Sequence, residues 1–262
     1  MKIKKYFFPN MIINQMNEQF KLEIATTKNN QILMEQMKAA RQNVEQFLIE
    51  INQRFSPFAY DSLVSRFQRG DKTPLQESSD FAMIYNSTVL AEQMTEGIYT
   101  PYFAGKYDPN TLVQAWALEQ AFNKYVTPLL ENSDIEGIWL SNDKQIKVAT
   151  KPESDFKWAI DINDSTKEEP LTTYYLQNGV IAMSENDFES VHMNLSDIKQ
   201  TIVIGQNIVE ASVWAEVGLL TTISKFVGFV EAYDLSGLVV DKEEMPLTFS
   251  NGAIETNEKK IS

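Results

Sequence analysis

The sequence predicts an α+β fold, with helices early in the chain packed on a mixed or antiparallel sheet. Helical periodicity dominates the first half, strand-like segments follow Pro128, and an apolar segment at 207–223 predicts a buried helix. Segregated helices and strands favour α+β over alternating α/β architecture. With no linker, internal repeat or low-complexity tract, residues 1–262 are expected to form a single domain with its core at about 20–250.

The first predicted helix covers residues 32–55, where apolar side chains recur at steps of three and four. Ser56 and Pro57 end it, because the residue before proline avoids helical geometry. Its apolar face consists of Leu33, Met37, Ala40, Val44, Phe47, Leu48, Ile51 and Phe55.

Two further helices are expected before residue 100. The shorter one covers 61–68, with Asp61 as its N-cap and Gly70 as its stop signal. The longer one covers 79–96 and ends before Gly97.

The segment DPNTLVQAWALEQAF, residues 108–122, predicts a fourth helix. Asp108 can accept hydrogen bonds from the free amides of the first turn, and Pro109 suits the first helical position. The expected buried stripe consists of Leu112, Val113, Trp116, Ala117 and Phe122.

The second half of the chain is interpreted mainly as strands. Hairpins are predicted around Asn142-Asp143 and Asn178-Gly179, because such dipeptides between strand-like segments favour tight turns. The polar end, 255–262, is expected to fray. Other expected elements are strands at 157–162, 200–205, 237–241 and 247–250 and the helix at 207–223.

Composition excludes several classes of function. The net charge of −13 and pI of about 4.6 disfavour nucleic acid and anionic membranes as partners. Without cysteine there are no disulfides, thiolate metal sites or cysteine nucleophiles. The only histidine, His192, cannot build a multi-histidine zinc site, no G-x-S-x-G motif supports a triad, and it is interpreted as a structural or surface residue.

The N-terminus, MKIKKYFFPNMII, resembles a signal peptide only weakly. Pro9 and Asn10 interrupt its apolar run, and no small-residue cleavage site follows. No segment approaches the roughly 18 apolar residues of a membrane helix. We therefore expect a cytoplasmic protein with no membrane partner.

Four segments together carry a family resemblance: FSPFAYDSLVSRFQ, GIYTPYFAGKYDPNTLVQAWALEQA, YYLQNGVIAMSEN and TIVIGQNIVEASVWAEVGLL. In order, they are similar to F-S-x-Y-x-x-x-S-x-I-S-R-x-N, to a glycine–aromatic stretch with D-P-x-x-x-V-K-G-W-A-x-E, to G-x-x-A-T-S-G, and to a strand with an A-D-A-x-A-T-A helix. The chain thus resembles the ApbE-type family, the FAD:protein FMN transferases, over residues 20–240.

The resemblance implies an α+β domain with a flavin pocket. Members bind FAD, use magnesium to polarise its pyrophosphate, and transfer FMN to a threonine or serine of a target protein with release of AMP. Such phosphoryl transfer depends on positioning and on neutralising charge. FAD and magnesium are therefore the implied cofactors, and a flavin and a protein substrate are the implied partners.

The resemblance also implies flavin-binding positions, although it identifies no catalytic residue and no metal ligand. Structural alternatives stay open: Asp108 as a helix cap, Trp116 as a core residue and Glu119 as a solvated helix residue. The implied positions are Asp108, Trp116, Glu119, Asp134 and Ser184.

The sequence departs from the family pattern at several of these motifs. Gln114 and Ala115 replace a lysine and a glycine, so a cation and a close backbone approach are lost. Glu185 replaces a glycine, and Glu210 and Trp214 fall at the aspartate and threonine of the last motif. A tryptophan cannot be an oxygen ligand.

The matches to the family motifs and the departures from them leave three functions to consider. The chain resembles an FAD:protein FMN transferase, but the replacements put catalytic activity in question. The alternatives are a non-catalytic protein that binds a flavin or another ligand on the same fold, and an interaction protein without a small ligand. Fold alone does not decide among them.

Overall fold

The fold is built around a nine-stranded antiparallel sheet. The computed structural model describes residues 5–163, 170–185, 196–243 and 245–255. The strand order in the sheet is β1-β2-β5-β6-β9-β10-β11-β12-β13. In chain order the strands are β1 (Asn10–Gln15), β2 (Glu18–Thr26), β3 (Tyr102–Phe103), β4 (Lys106–Tyr107), β5 (Ile135–Ser141), β6 (Gln145–Thr150), β7 (Trp158–Ile162), β8 (Thr172–Leu176), β9 (Gly179–Glu185), β10 (Ile198–Gly205), β11 (Ser236–Asp241), β12 (Pro246–Ser250) and β13 (Ala253–Glu255).

Helices cover one face of this sheet, and the β7–β8 hairpin packs on the other. A π-helical turn (Phe122–Val126) and a 3-10 turn (Thr127–Glu131) follow the fifth helix. The described helices are α1 (Gln31–Phe55), α2 (Leu63–Gln68), α3 (Pro74–Glu77), α4 (Ser79–Met94), α5 (Asn110–Ala121), α6 (Ile208–Leu219) and α7 (Ile223–Ala232).

Side chains alternate between the two faces of the sheet, as strand geometry requires. On β9, Val180 and Ala182 belong to the core under the helices, whereas Ile181 packs with the β7–β8 hairpin. The same hairpin contributes Trp158 and Ile160 to that second core. The α+β prediction of helices on an antiparallel sheet is confirmed.

The predicted faces of α1 and α5 are confirmed. Seven of the eight apolar residues named for α1 are buried, and Phe47 is half-buried against the same core. The helix ends at Phe55, next to Ser56 as expected. All five residues of the predicted α5 stripe are buried.

The predicted boundaries of the next two helices need correction. Asp61 is not the N-cap of α2; that position belongs to Ser62, whose hydroxyl accepts the Ser65 N–H at 3.0 Å. The third predicted helix ends at Met94 rather than at residue 96. Gly97 has a φ of 76°, a left-handed conformation that suits glycine at a helix end.

The hairpin around Asn142-Asp143 is confirmed, because β5 pairs with β6. The hairpin around Asn178-Gly179 is wrong, although both flanking strands exist. There β8 pairs with β7, whereas β9 pairs with β6 and β10 in the large sheet. Asn178 instead accepts the backbone N–H of Thr150 at 3.3 Å, so this dipeptide carries the chain from one sheet to the other.

The strands β1 and β2, the short helix α3 and the helix α7 were not predicted. The apolar segment at 207–223 holds one helix and the start of another, because Thr222 caps α7 by accepting the Lys225 N–H. His192 lies outside the described residues, as does the polar end beyond residue 255. Within the described ranges, no helix combines the length and apolar character needed to cross a bilayer.

Helix α6 packs on the sheet at its closest approach through Gly218. A Cβ atom at this position would lie 2.2 Å from Thr201 Oγ1 and 2.6 Å from Thr201 Cγ2 on β10. Thr201 is fully buried and cannot swing into solvent. The absence of a side chain at position 218 therefore sets the distance between helix and sheet.

Gly218→Ala should lower the free energy of unfolding by about 1–3 kcal/mol, because the new methyl group overpacks this contact. Gly228→Ala in α7 is the matched control, since its Cβ would meet open space. The control should be neutral or stabilising by up to about 1 kcal/mol through helix propensity. Urea unfolding of both variants tests the difference, and an unchanged Gly218→Ala protein would contradict it.

Candidate functional site

Two hollows that share Gln114 form a cleft rich in polar side chains, called the polar cleft below. The first, the α1 hollow, has a volume of about 290 Å³ and is lined by Met16, Asn17, Glu18, Asn52, Phe55, Ser56, Pro57, Phe58, Asp108, Asn110, Val113 and Gln114. The second, the α6 hollow, has a volume of about 260 Å³ and is lined by Thr111, Gln114, Lys144, Gln145, Met183, Ser184, Glu185, Ser212, Glu216, Leu219 and Leu220.

A chain of hydrogen bonds connects the floor of the polar cleft. The Asn142 side-chain amide donates to the Glu18 carboxylate and, at 3.0 Å, to the side-chain oxygen Oε1 of Gln145. Gln145 Nε2 donates to Ser212 Oγ at 3.1 Å, and Ser212 Oγ donates to the Ile208 carbonyl at 2.7 Å. Because Asn142, Gln145 and Ser212 are buried, these bonds fix the β1–β2 turn, the β5–β6 turn and α6 relative to one another.

Two carboxylates of the polar cleft have perturbed ionisation. Burial raises the pKa of the Glu216 carboxyl, whereas a hydrogen bond with Thr111 and the charge of Lys144 act to lower it. Burial also raises the pKa of Glu18, and Lys144 again opposes that effect. The ammonium of Lys144 thus acts on both carboxylates.

The structure brings two of the five predicted flavin-binding residues to the polar cleft. Asp108 lines the α1 hollow, and Ser184, on β9, lines the α6 hollow. The Asp108 carboxylate accepts the Asn110 N–H at 3.2 Å, so it provides an acceptor for a free backbone amide in the first turn of α5. The N-cap position itself, however, is occupied by Pro109.

Trp116 and Glu119 lie on the other face of α5, away from the polar cleft. Trp116 is 7% exposed and packs against Phe47 and Phe55, with ring centroids 6.4 and 5.9 Å away. Glu119 forms an ion pair with Lys147 at 2.9 Å. The packing therefore supports the alternative that Trp116 is a core residue.

Asp134 lies apart from both hollows, at the start of β5. Its carboxylate pairs with Lys28 at 2.9 Å, and its carbonyl oxygen accepts the Thr26 hydroxyl at 2.8 Å. These contacts tie β5 to the end of β2. The five predicted residues consequently do not form one site.

The positions chosen on α6 also need correction. Glu210 is exposed in the first turn, and Trp214 is 1% exposed and packs against Phe229 and Tyr233. Ser212 and Glu216 have the same four-residue spacing, and both line the α6 hollow together with Ser184. The geometry favours placing the A-D-A-x-A-T-A motif two residues later than the sequence comparison did.

A signal for this pair was present in the sequence. Between Glu210 and Leu219, only Ser212 and Glu216 interrupt an apolar helix, and residues four apart share one helix face. Asn142 and Gln145 gave no comparable signal. They lie in the turn of the β5–β6 hairpin and at the start of β6, far from α6 along the chain.

The described residues have the fold of the ApbE-type flavin transferases. The flavin transferase ApbE from Vibrio cholerae matches with a TM-score of 0.65 and 12% identity over 94% of this chain and 98% of that one. The ApbE protein from Thermotoga maritima matches with a TM-score of 0.73 and 12% identity over 94% and 97%. The flavinyl transferase ApbE from Pseudomonas stutzeri matches with a TM-score of 0.70 and 9% identity over 95% and 97%.

No protein-family model matches the sequence. No curated protein sequence is recognisably similar to it either. The relationship therefore rests on the fold, and what this chain binds must be argued from its own side chains.

The α6 hollow does not fit the magnesium ion that the resemblance implies. Among the described residues, no three histidine, cysteine, aspartate or glutamate side chains converge as metal ligands. Ser212 Oγ already accepts one hydrogen bond and donates another, and Thr111 engages the Glu216 carboxylate. Lys144 lines the same hollow, and its ammonium repels a second cation.

Glu216→Gln should stabilise the protein at neutral pH. The raised pKa means that the folded state binds a proton more readily than the unfolded chain, so the free energy of unfolding falls as pH rises from the ordinary value of 4.5 through the raised one. Glutamine removes this loss and can still accept the hydrogen bond from Thr111. Urea unfolding should show the variant ahead of the wild type at pH 7.5 and level with it near pH 4; an equal difference at both would contradict the assignment.

The Glu119–Lys147 pair should behave as a partly buried ion pair, because the two side chains are 20% and 14% exposed. Lys147→Met leaves the carboxylate without its cation and should cost about 2 kcal/mol. The double variant Glu119→Leu/Lys147→Met should recover part of that loss. A double-mutant cycle of unfolding free energies measures the coupling, and strictly additive losses would reduce the pair to a surface contact.

Proposed function

We propose that this chain is a flavin-binding protein on the flavin-transferase fold and that it does not transfer FMN. The observation that carries the proposal is the α6 hollow, where Lys144 supplies an ammonium, Ser212 Oγ already accepts and donates a hydrogen bond, and the Glu216 carboxylate is bonded to Thr111. The hollow therefore already contains a cation that belongs to the chain itself. It also offers no open coordination shell in which a magnesium ion could activate a pyrophosphate.

The α1 hollow supplies the features that a flat heterocycle needs. Phe55 lies at its base, and Phe58, which is 92% exposed, stands beside it. Covering a large exposed aromatic side chain with a planar ring is favourable, because apolar surface on both is removed from water. The amides of Asn17, Asn52 and Gln114 line the same hollow and can donate to and accept from the polar edge of an isoalloxazine.

The charges of the polar cleft favour the ring over the phosphates. Glu18 and Asp108 line the α1 hollow, and Glu185 and Glu216 line the neighbouring α6 hollow. Among the described residues that line the two hollows, Lys144 is the one cation. Affinity should therefore decrease in the order riboflavin, FMN, FAD, as negative charge is added to the ligand.

The comparisons support the flavin part of this proposal, since the similar structures are named as flavin transferases. A flavin transferase must bind its flavin before it can transfer any part of it. Without transfer, no protein substrate is required. The cytoplasmic location and the absence of a nucleic-acid partner stay predictions from the sequence.

Titration of riboflavin, FMN and FAD, followed by flavin fluorescence, tests the proposal directly. Riboflavin should bind equally well with magnesium and with EDTA, and incubation with FAD should release no AMP. Magnesium-dependent release of AMP would identify an active transferase instead. A protein that binds none of the three flavins would be an interaction protein, which also contradicts the proposal.

Phe58→Ala should weaken riboflavin binding by about tenfold, because it removes the ring that stacks on the ligand. Phe103→Ala is the matched control: Phe103 is 73% exposed, lies on β3, and is not among the residues that line the polar cleft. Both substitutions remove exposed rings, so neither should change the unfolding free energy much. Equal affinities in the two variants would place the flavin elsewhere.

A further inference from the structure

The strand β1 forms one edge of the nine-stranded sheet and is unprotected there. Within the described residues it pairs with β2 alone, whereas the described part of β13, at the other edge, is three residues long and includes Glu255. Proteins usually protect an edge strand from pairing with another chain by a charge, a proline or a bulge within the strand. The sequence of β1, NMIINQ, contains no charge and no proline, and its register with β2 is continuous.

The register with β2 shows which backbone groups of β1 point away from the sheet. Phe7 and Thr26 exchange backbone hydrogen bonds of 2.8 and 3.0 Å, and the Ile24 N–H donates to the Pro9 carbonyl at 3.2 Å. In an antiparallel pair such bonded positions alternate with positions whose N–H and C=O face outward. The outward-facing positions of β1 are Asn10, Ile12 and Asn14.

One acceptor on this edge is already engaged. Arg41 Nε donates to the Ile12 carbonyl oxygen at 3.3 Å, and the same guanidinium forms an ion pair with Glu45. A carbonyl oxygen has two lone pairs, so that of Ile12 can accept a second hydrogen bond. No described residue bonds to the outward backbone groups of Asn10 or Asn14. The edge therefore has backbone donors and acceptors available for a further strand.

The sequence of β1 is complementary to itself in the antiparallel direction. When Ile12 faces Ile12 of a second copy, Asn10 faces Asn14 and Met11 faces Ile13. Each asparagine then meets an amide that can both donate and accept, and each apolar side chain meets another apolar one. No charged residue enters this contact, although the chain as a whole carries a net charge of −13. A second copy therefore matches this edge in hydrogen bonding, polarity and charge.

From these observations we infer that β1 is a homodimer interface, in which two copies join their sheets edge to edge about a two-fold axis at Ile12. The outward N–H and C=O groups of the two strands bond to one another, and the Ile12 side chain, which is 39% exposed in one copy, becomes covered. None of the residues of β1 lines the polar cleft, so the inference does not depend on the flavin proposal.

Sedimentation velocity of the wild-type chain between about 1 and 200 μM tests whether the dimer forms. The sedimentation coefficient should rise with concentration from that of a monomer to that of a dimer and no further, because pairing about a two-fold axis uses up the edge of both copies. A chain that stays monomeric over the whole range would overturn the inference, and so would growth beyond the dimer.

A charge exchange at Ile12 tests the register, because this register places the two copies of residue 12 directly opposite each other. Ile12→Lys and Ile12→Glu should each weaken the dimer by about tenfold or more, since like charges then face each other. Lys21 is the neighbour of Ile12 on β2, so the lysine variant should be the weaker dimer of the two. An equimolar mixture of the variants should form a mixed dimer that is tighter than either variant alone.

Ile32→Lys is the matched control. Ile32 is 69% exposed in the first turn of α1, outside β1, so the same change of charge there should leave the dimer as tight as in the wild type. Urea unfolding should show that all three variants are folded, and recovery of the dimer in the mixture shows the same for the two Ile12 variants. Equal weakening in Ile32→Lys, or a mixture no tighter than its components, would overturn the assignment to β1.

Discussion

The packing of α6 against β9 and β10 is the constraint on which the polar cleft depends. Gly218 allows the helix to approach Thr201 more closely than any other residue could, and nine of the twelve residues of α6 are buried. Polar side chains on a helix enclosed in this way are stable only when most of their polar atoms have partners. Ser212 is accordingly bonded to Gln145 and to the Ile208 carbonyl, and Glu216 to Thr111. These hydrogen bonds hold the polar side chains of the α6 hollow in place within an otherwise apolar layer.

The chemistry of the polar cleft follows from its own charges. Lys144 lies in the turn of the β5–β6 hairpin, and its ammonium acts on the carboxylates of both Glu18 and Glu216. A cation that is part of the chain cannot be lost to solvent as a bound metal ion can. The similar structures, named as flavin transferases, share the scaffold of this chain at 12% and 9% sequence identity.

Local pattern was sufficient for most of the secondary structure. The periodicity of α1 and the stripe on α5 were correct because each buries a single continuous face, which spacing reveals directly. Pairing between distant segments was harder. Asn178-Gly179 has ideal hairpin chemistry, but β8 and β9 belong to different sheets, and the choice is made by partners that lie far away in the chain. Strands β1 and β2 were missed for a different reason: they form a local hairpin, but its turn residues Met16 and Asn17 have positive φ angles without a glycine to indicate the turn.

Part of the candidate site was predicted from short sequence motifs. Asp108 and Ser184 lie in such motifs and line the polar cleft, whereas Asn142 and Gln145 depend on the contact between a hairpin and α6. On α6, the sequence alignment selected Glu210 and Trp214, which lie two positions before Ser212 and Glu216. A shift of two positions rotates the selected face of a helix by about 200°, so the alignment pointed to a different side of α6.

Helix α5 separates the polar cleft from a cavity of about 470 Å³ with a single layer of backbone. Its residues at 111 and 114 line the polar cleft, and those at 112 and 116 line the cavity. An α-helix with its side chains is only about 10 Å across, so a substitution that enlarges one wall acts on the opposite wall. Volume changes on the two faces of this helix are therefore coupled, and a change that selection accepts on one face alters the packing of the other.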